Sequence, residues 1–362
     1  MTERSERGGS HRDDRGGHGD RGYRGGSGGG DRGYRGGRGG GGRGYRDGDR
    51  GHRGGRGGGD RGYRGGDRDR PRRVYDDEPR DGLLADLVGH LHALDGRSYA
   101  AYKAIVGRYR APAGWFLHID RVQSDPYAPP TRIHIDVPTD LHGLQLLDEA
   151  DLLADVDRRL AVGDFLTREL HAGFRGTALS IASPGQEILQ RSSVILRSDE
   201  KKEGAGWVLE VRARLALPAQ GRSIQGHEAS RIVGRDLVRE LEEAMDLTGE
   251  RGDRLVHHVA TLEDHRALTA AVARNGWVSF LADGAVLPRR SGVSDEPLDG
   301  GVPLQAPDSM AATVELPHAG RVRGTVVEAG VNVIVGGGYH GKSTLLSAIE
   351  RGVYPHVPGD GR

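Results

Sequence analysis

The stretch Val331-Asn332-Val333-Ile334-Val335-Gly336-Gly337-Gly338-Tyr339-His340-Gly341-Lys342-Ser343-Thr344 restricts the fold more than any other part of the chain. It joins an apolar run to a glycine-rich turn and then to a helical pattern. Leu345, Leu346, Ala348 and Ile349 continue at helical spacing. Gly336-x-x-x-x-Gly341-Lys342-Ser343 has the spacing of a Walker A loop. Strand, loop and helix in that order imply a P-loop α/β domain. Glycines let the backbone aim several N–H groups at phosphate oxygens, and the N-terminus of the following helix adds partial positive charge. Lys342 is the residue that reaches the β- and γ-phosphates, Ser343 brings a hydroxyl to Mg²⁺, and Thr344 contacts a neighbouring phosphate oxygen. The expected binding set is Gly336, Gly337, Gly338, Tyr339, His340, Gly341, Lys342, Ser343 and Thr344. Its expected ligands are a nucleoside triphosphate and Mg²⁺.

A P-loop domain also needs a Walker B strand, whose carboxylate holds Mg²⁺. Leu345 to Arg362 contain no such strand, and the chain closes on the turn-rich run Pro355-His356-Val357-Pro358-Gly359-Asp360-Gly361-Arg362. The expectation is a C-terminally truncated P-loop domain, so no catalytic residue is assigned.

The N-terminal region differs sharply from the rest. Met1 to Arg73 contains no Leu, Ile, Val, Phe or Trp, and its 29 glycines and 20 arginines face 11 acidic residues, a formal charge of +9. Such a segment has nothing to bury and is expected to be a disordered tail. The zero net charge of the whole chain therefore conceals a basic arm joined to an acidic body, since Val74 to Arg362 carries −9. Absence of cysteine excludes disulfides and Cys-based metal or redox sites. No apolar run approaches the roughly 20 residues of a membrane span, and no signal-peptide core is present, so a cytoplasmic protein without membrane partners is expected.

Within the arm, Asp20-Arg21-Gly22-Tyr23-Arg24-Gly25-Gly26 recurs at Asp31 to Gly37 and Asp60 to Gly66, an RGG-type tract. Arg21, Arg24, Arg32, Arg35, Arg61 and Arg64 can pair with phosphate and stack on bases, and Tyr23, Tyr34 and Tyr63 offer stacking faces. RNA is the expected partner of these residues. The interspersed Asp residues reduce the positive field, and a solvating tail is the other reading.

From Asp81 onward the composition is that of a globular protein. Leu83, Leu84, Leu87, Val88, Leu91 and Leu94 predict an amphipathic helix, Ser98 to Val106 a second, and Leu152 to Phe174 a long one. Trp115 to Asp120 and Arg132 to Val137 predict paired strands, with Ala178 to Ala182, Ser193 to Leu196 and Trp207 to Leu217 further strands. Glu228 to Met245 and Leu262 to Ala273 predict helices; Val278 to Leu281, Ala311 to Leu316 and Val322 to Val327 lead as strands into the P-loop strand. The expected fold class is a tail over 1–80, an α+β N-terminal domain over 81–250 and the start of a P-loop α/β domain over 251–362. His257, His258 and His265 lack a recognised ligand spacing, so no metal beyond Mg²⁺ is expected. Arg289 and Arg290 are candidate phosphate or RNA contacts, and a solvated loop is the other reading.

The loop, with the unusual Tyr339-His340 inside it, and its continuation through Gly352-Val353-Tyr354 and His356 to Arg362 resemble the family of ATPases of the ABC class. Ala282 to Val293, Leu94 to Lys103, Asp125 to Pro130 and Ser183-Pro184-Gly185-Gln186-Glu187 share the resemblance, which covers about Leu83 to Arg362. It implies a soluble, non-transporter ABC-type ATPase that binds ATP with Mg²⁺, works as a homodimer sandwiching two ATP molecules, and keeps Lys342 and Ser343 in their usual roles. ATP hydrolysis is implied by the family, although its Walker B, signature and catalytic glutamate have no counterpart in this sequence. The alternative is an RNA-binding scaffold whose P-loop only senses nucleotide. Tyr339-His340 argues against a nucleotide kinase or GTPase.

Overall fold

A computed structural model of the chain describes residues 80–199 and 206–362. The RNA-contact candidates Arg21, Tyr23, Arg24, Arg32, Tyr34, Arg35, Arg61, Tyr63 and Arg64 lie outside the described residues. β1 (Arg80–Leu83) leads directly into α1 (Leu84–Ala93), whose Leu84, Leu87 and Leu91 are buried as the apolar spacing predicts. The second expected helix is a 3₁₀ segment, Tyr99–Ile105, with the Tyr102 hydroxyl donating to the Pro218 carbonyl at 2.8 Å. β2 (Gly107–Arg110), β3 (Phe116–Arg121) and β4 (Thr131–Pro138) follow, then α2 (Leu146–Glu149) and α3 (Val156–Gly173). α3 begins later than the sequence pattern suggests because the Asp155 carboxylate accepts from the Arg158 amide at 2.9 Å and caps the helix there.

β5 (Leu179–Ser180), β6 (Val194–Ser198) and β7 (Trp207–Leu215) complete a seven-stranded sheet of order β1-β2-β3-β4-β7-β5, with β6 also on β7. All pairings are antiparallel except β1 with β2. Strict alternation gives the sheet two unlike faces. Leu117, Ile119, Ile133, Ile135, Leu209, Val211, Ala213 and Leu215 point into the core, while His118, Arg132, His134, Asp136, Glu210, Arg212 and Arg214 lie on the other, polar face. A small hairpin, β8 (Ala219–Gln220) with β9 (Ser223–Ile224), precedes α4 (Gly226–Arg231) and α5 (Leu237–Met245). One helix was expected over Glu228 to Met245; a π-turn at Ile232–Asp236 joins the two parts.

The 25-residue helix α6 (Glu250–Arg274) belongs to two cores. Its Leu255, Val259 and Leu262 pack with the large N-terminal core. Its Ala267, Leu268 and Ala271 pack with Val314, Leu316, Trp277 and Phe280 in a separate cluster. That second cluster lies on a three-stranded antiparallel sheet of β10 (Trp277–Ala282), β13 (Ala311–Leu316) and β14 (Gly320–Glu328), in the order β10-β14-β13. Between them β11 (Arg289–Ser291) and β12 (Ser294–Pro297) form a two-stranded ribbon. The last helix is α7 (Lys342–Arg351).

Val331 to Val335 is not a strand, contrary to the pattern. Val331 is 97 % and Val335 82 % exposed, and no described strand pairs with them. Chain direction changes after Glu328: the Asn332 side chain donates to the Glu328 carbonyl at 2.8 Å and Gly330 takes a φ of 133°. Apolar alternation makes a segment suitable for a sheet, but ladder hydrogen bonds need a neighbour.

Candidate functional site

A glycine turn leads into α7 at Lys342, where the sequence spacing predicts a loop followed by a helix. Gly341, with a φ of 77°, sits at the N-cap of α7, in a left-handed conformation that costs glycine little. It offers no side-chain cap. The first-turn amides of α7 are thus left for an external acceptor. Gly336 has a φ of 152° and Tyr339 a φ of 63°, the latter an uncommon conformation for an aromatic residue. The His340 ring lies over Gly337, where a Cβ would come within 3.0 Å of it. Lys342 folds back over the turn, its Nζ donating to the Gly336 carbonyl at 2.8 Å and to the Gly337 carbonyl. Ser343 is exposed and Thr344 half-buried beside it. An ammonium, a run of small residues and an uncapped helix N-terminus meet in one place, a donor set that fits an anionic, phosphate-type ligand.

Below the loop, Leu345, Ala348 and Ile349 anchor α7 on Leu281, Leu287, Leu304 and Val327. Beyond α7 the chain is clasped from both sides. The Ile188 amide donates to the Pro355 carbonyl at 2.8 Å, the Val357 amide to the Gln186 carbonyl at 2.9 Å, and Arg351 pairs with Glu187 at 2.6 Å. On the opposite side the Val286 amide donates to the Gly361 carbonyl at 2.7 Å, and Arg289 pairs with buried Asp360 at 2.8 Å. His356 holds the other Asp360 oxygen through Nδ1 at 2.8 Å. Arg289 is therefore committed to an internal ion pair and Arg290 to Glu296 and Asp299. This corrects the reading of Arg289 as a phosphate or RNA contact, whereas Arg290 is about half exposed and its two pairs lie at the surface.

The segment carrying Gly185, Gln186 and Glu187 is itself organised by Asp164, a fully buried carboxylate on α3. Arg168 and Arg191 donate to its two oxygens at 2.7 and 2.8 Å, and His258 approaches at 3.3 Å. The same arginines reach onward: Arg168 to the Gly185 and Glu187 carbonyls at 2.6 and 2.9 Å, Arg191 to the Glu187 carbonyl at 3.2 Å. Burial alone would raise the Asp164 pKa, but His258, Arg168 and Arg191 outweigh it and hold it below the usual carboxylate range. Sequence periodicity missed this residue. The available signal was an acid inside the apolar run Ala161-Val162-Gly163-Asp164-Phe165-Leu166, at a helix position that faces the core.

His265, on the part of α6 that faces Val353 and His356, is depressed to about 4 by burial, by the neighbouring Arg266 and by His356. Protonation thus favours the unfolded chain, in which histidine titrates near 6.5. Its contribution is complete above about pH 6.5 and is lost progressively as the pH falls toward 4. Melting temperature is expected to drop between pH 7 and pH 5, with a shallower drop in His265→Gln. Equal slopes in the two proteins would show that His265 does not contribute.

The fold and the loop define a P-loop protein: a mixed α/β N-terminal region followed by a P-loop domain. Comparison with protein families gives two adjoining matches. Residues 84–247 match the family described as ATPase of the ABC class, N-terminal, and residues 251–362 match the P-loop domain of the family ABC_ATPase. Together these matches support the ABC-class ATPase family for this chain. No curated protein matches the chain. Among the described residues no helix is long and apolar enough to cross a membrane.

Proposed function

We propose that the chain binds ATP with Mg²⁺ through Gly336 to Thr344 and works as a non-transporter ATPase of the ABC class. The observation that carries this reading is the uncapped N-terminus of α7 directly behind a glycine turn whose carbonyls hold the Lys342 ammonium. The first-turn amides and Lys342 would hold the phosphates, and Ser343 would offer its hydroxyl to Mg²⁺, the ion that neutralises charge on the phosphate oxygens. On binding, Lys342 would exchange two carbonyl acceptors for charged phosphate oxygens, the stronger partners. The division at about residue 250 and the pairing of two chains around two nucleotides belong to the same proposal, drawn from the family resemblance. So does contact with RNA through the arginines and tyrosines of the arm, supported by their repeated Arg-Gly-Tyr-Arg pattern.

Equilibrium binding of fluorescent ATP with Mg²⁺ to the full chain tests the central claim. Lys342→Ala is expected to bind at least about tenfold more weakly, or about 1.4 kcal/mol. Equal affinity in the two proteins, or no binding in either, overturns it. For the arm, deletion of Met1 to Arg73 should abolish a salt-sensitive affinity for single-stranded RNA while leaving ATP binding intact.

A further inference from the structure

We propose that the polar face of the N-terminal sheet carries a divalent transition-metal site formed by His118, His134 and Asp136. These residues are far from the glycine loop in sequence, and strand register brings them together: His118 on β3 lies directly opposite His134 on β4, and Asp136 is two residues further along β4 on the same face. One ligand-type atom from each residue falls within 4.8 Å of the others. Both His118 Nε2 and Asp136 Oδ1 are shut off from solvent without a hydrogen-bond partner. A buried donor or acceptor left in that state is unfavourable, and an ion ligated by both would relieve it.

The surroundings support these ligand roles. Asp120 Oδ2 lies 2.8 Å from His134 Nδ1, an exposed carboxylate that pairs with this nitrogen, can follow the ring as it turns, and leaves Nε2 as the ligating nitrogen. Arg197 holds Asp136 through Oδ2 at 2.8 Å, leaving Oδ1 as the open oxygen. The Arg197 charge opposes a cation, but Glu210 pairs with both Arg197, at 3.2 Å, and Arg212, at 2.7 Å. His118 Nε2 and Asp136 Oδ2 are 3.4 Å apart without hydrogen-bond alignment. The two imidazoles stack at 4.1 Å with planes 12° apart, so one ring must rotate to aim both lone pairs at one ion. His134, half-buried beside a cavity of about 650 Å³, has room to do so.

Two imidazoles and one carboxylate suit Zn²⁺, Co²⁺ or Ni²⁺ and not Mg²⁺ or Ca²⁺, which prefer oxygen ligands alone. Three protein ligands leave at least one coordination position open. Asp120 and His134 border the cavity, and Arg132, Arg212 and Arg214 line it too, so an anionic co-ligand is the class that fits there.

The test is a titration of the full chain with Co²⁺, followed by visible absorption and equilibrium dialysis. The chain has 16 histidines, so specificity is read from variants. One equivalent is expected to bind to the wild-type chain and to His257→Ala, an exposed histidine on α6. His118→Ala and His134→Ala should each lose that equivalent, and Asp120→Asn should weaken it about tenfold. If His118→Ala does not fold, His134→Ala at its half-buried position carries the test. Absence of a saturable equivalent in the wild type, or its retention in His134→Ala, overturns the proposal.

Discussion

The Asp164→Asn variant is expected to lose about 3 kcal/mol of stability in urea denaturation, the scale of breaking a buried ion pair by removing one partner. The substitution keeps the shape and removes the charge that Arg168 and Arg191 share. Both guanidiniums would remain largely buried opposite a neutral amide. Since domains are stable by only about 5–15 kcal/mol, the loss is a large fraction of the total. A loss under about 1 kcal/mol would show that water compensates the pair, as at exposed sites. Acid should act in the same direction: the depressed folded pKa gives a contribution present above about pH 4, lost as the pH falls through the folded value. Hydrogen exchange adds a spatial readout, because Arg168 and Arg191 also hold the carbonyls of residues 185 and 187. The amides of Ile188 and Val357 should lose protection in the variant before the amides of β4 and β7 do.

The second large effect is expected at Gly226. A Cβ there would lie 2.4 Å from the Leu91 carbonyl oxygen, 2.6 Å from the Asp95 nitrogen and 2.8 Å from its Cα. All three atoms are backbone, so no side chain can rotate away. The position is also pinned by its own amide, which donates to Asp95 Oδ1 at 2.6 Å, and by Ser230, which donates to its carbonyl at 2.8 Å. Gly226→Ala is expected to cost about 2–3 kcal/mol, at the upper end of overpacking effects. Gly89, within α1, has nothing within 4 Å of a built Cβ. Gly89→Ala should therefore move stability the other way by about 0.5–1 kcal/mol through helix propensity. A urea midpoint for Gly226→Ala equal to or above that of the wild type would refute the close α1–α4 packing.

Much of this architecture was legible because periodicity reports burial. The leucines of α1, the alternation along β4 and β7, and the strands β10, β13 and β14 all follow from side chains that must face one core. Properties that depend on a partner did not show. Val331 to Val335 has the composition of a strand, and whether it pairs depends on a neighbour that its own residues cannot encode. The π-turn at Ile232–Asp236 was hidden because one wider turn barely disturbs a helical apolar stripe. The loop's motif is readable since its chemistry is local: eight consecutive positions, Gly336 to Ser343, carry the spacing of the turn and the helix start. The Asp164 cluster and the His118–His134–Asp136 group draw on residues from several elements, so only strand register and helix packing reveal them.

A helix shared between two cores bears on how the protein can be divided. The N-terminal family match ends at residue 247 and the P-loop match starts at 251, so the join falls at the start of α6. Cutting the gene there would strip Leu255, Val259 and Leu262 from the large core and leave the P-loop piece with an apolar helix face in water. At about 1.5 Å per residue α6 runs some 37 Å, so it links the parts as a stiff strut and not as a linker. The two halves are therefore expected to be portable only as a pair, and a recombination event or an expression trial that separates them at the family boundary should yield insoluble products on both sides.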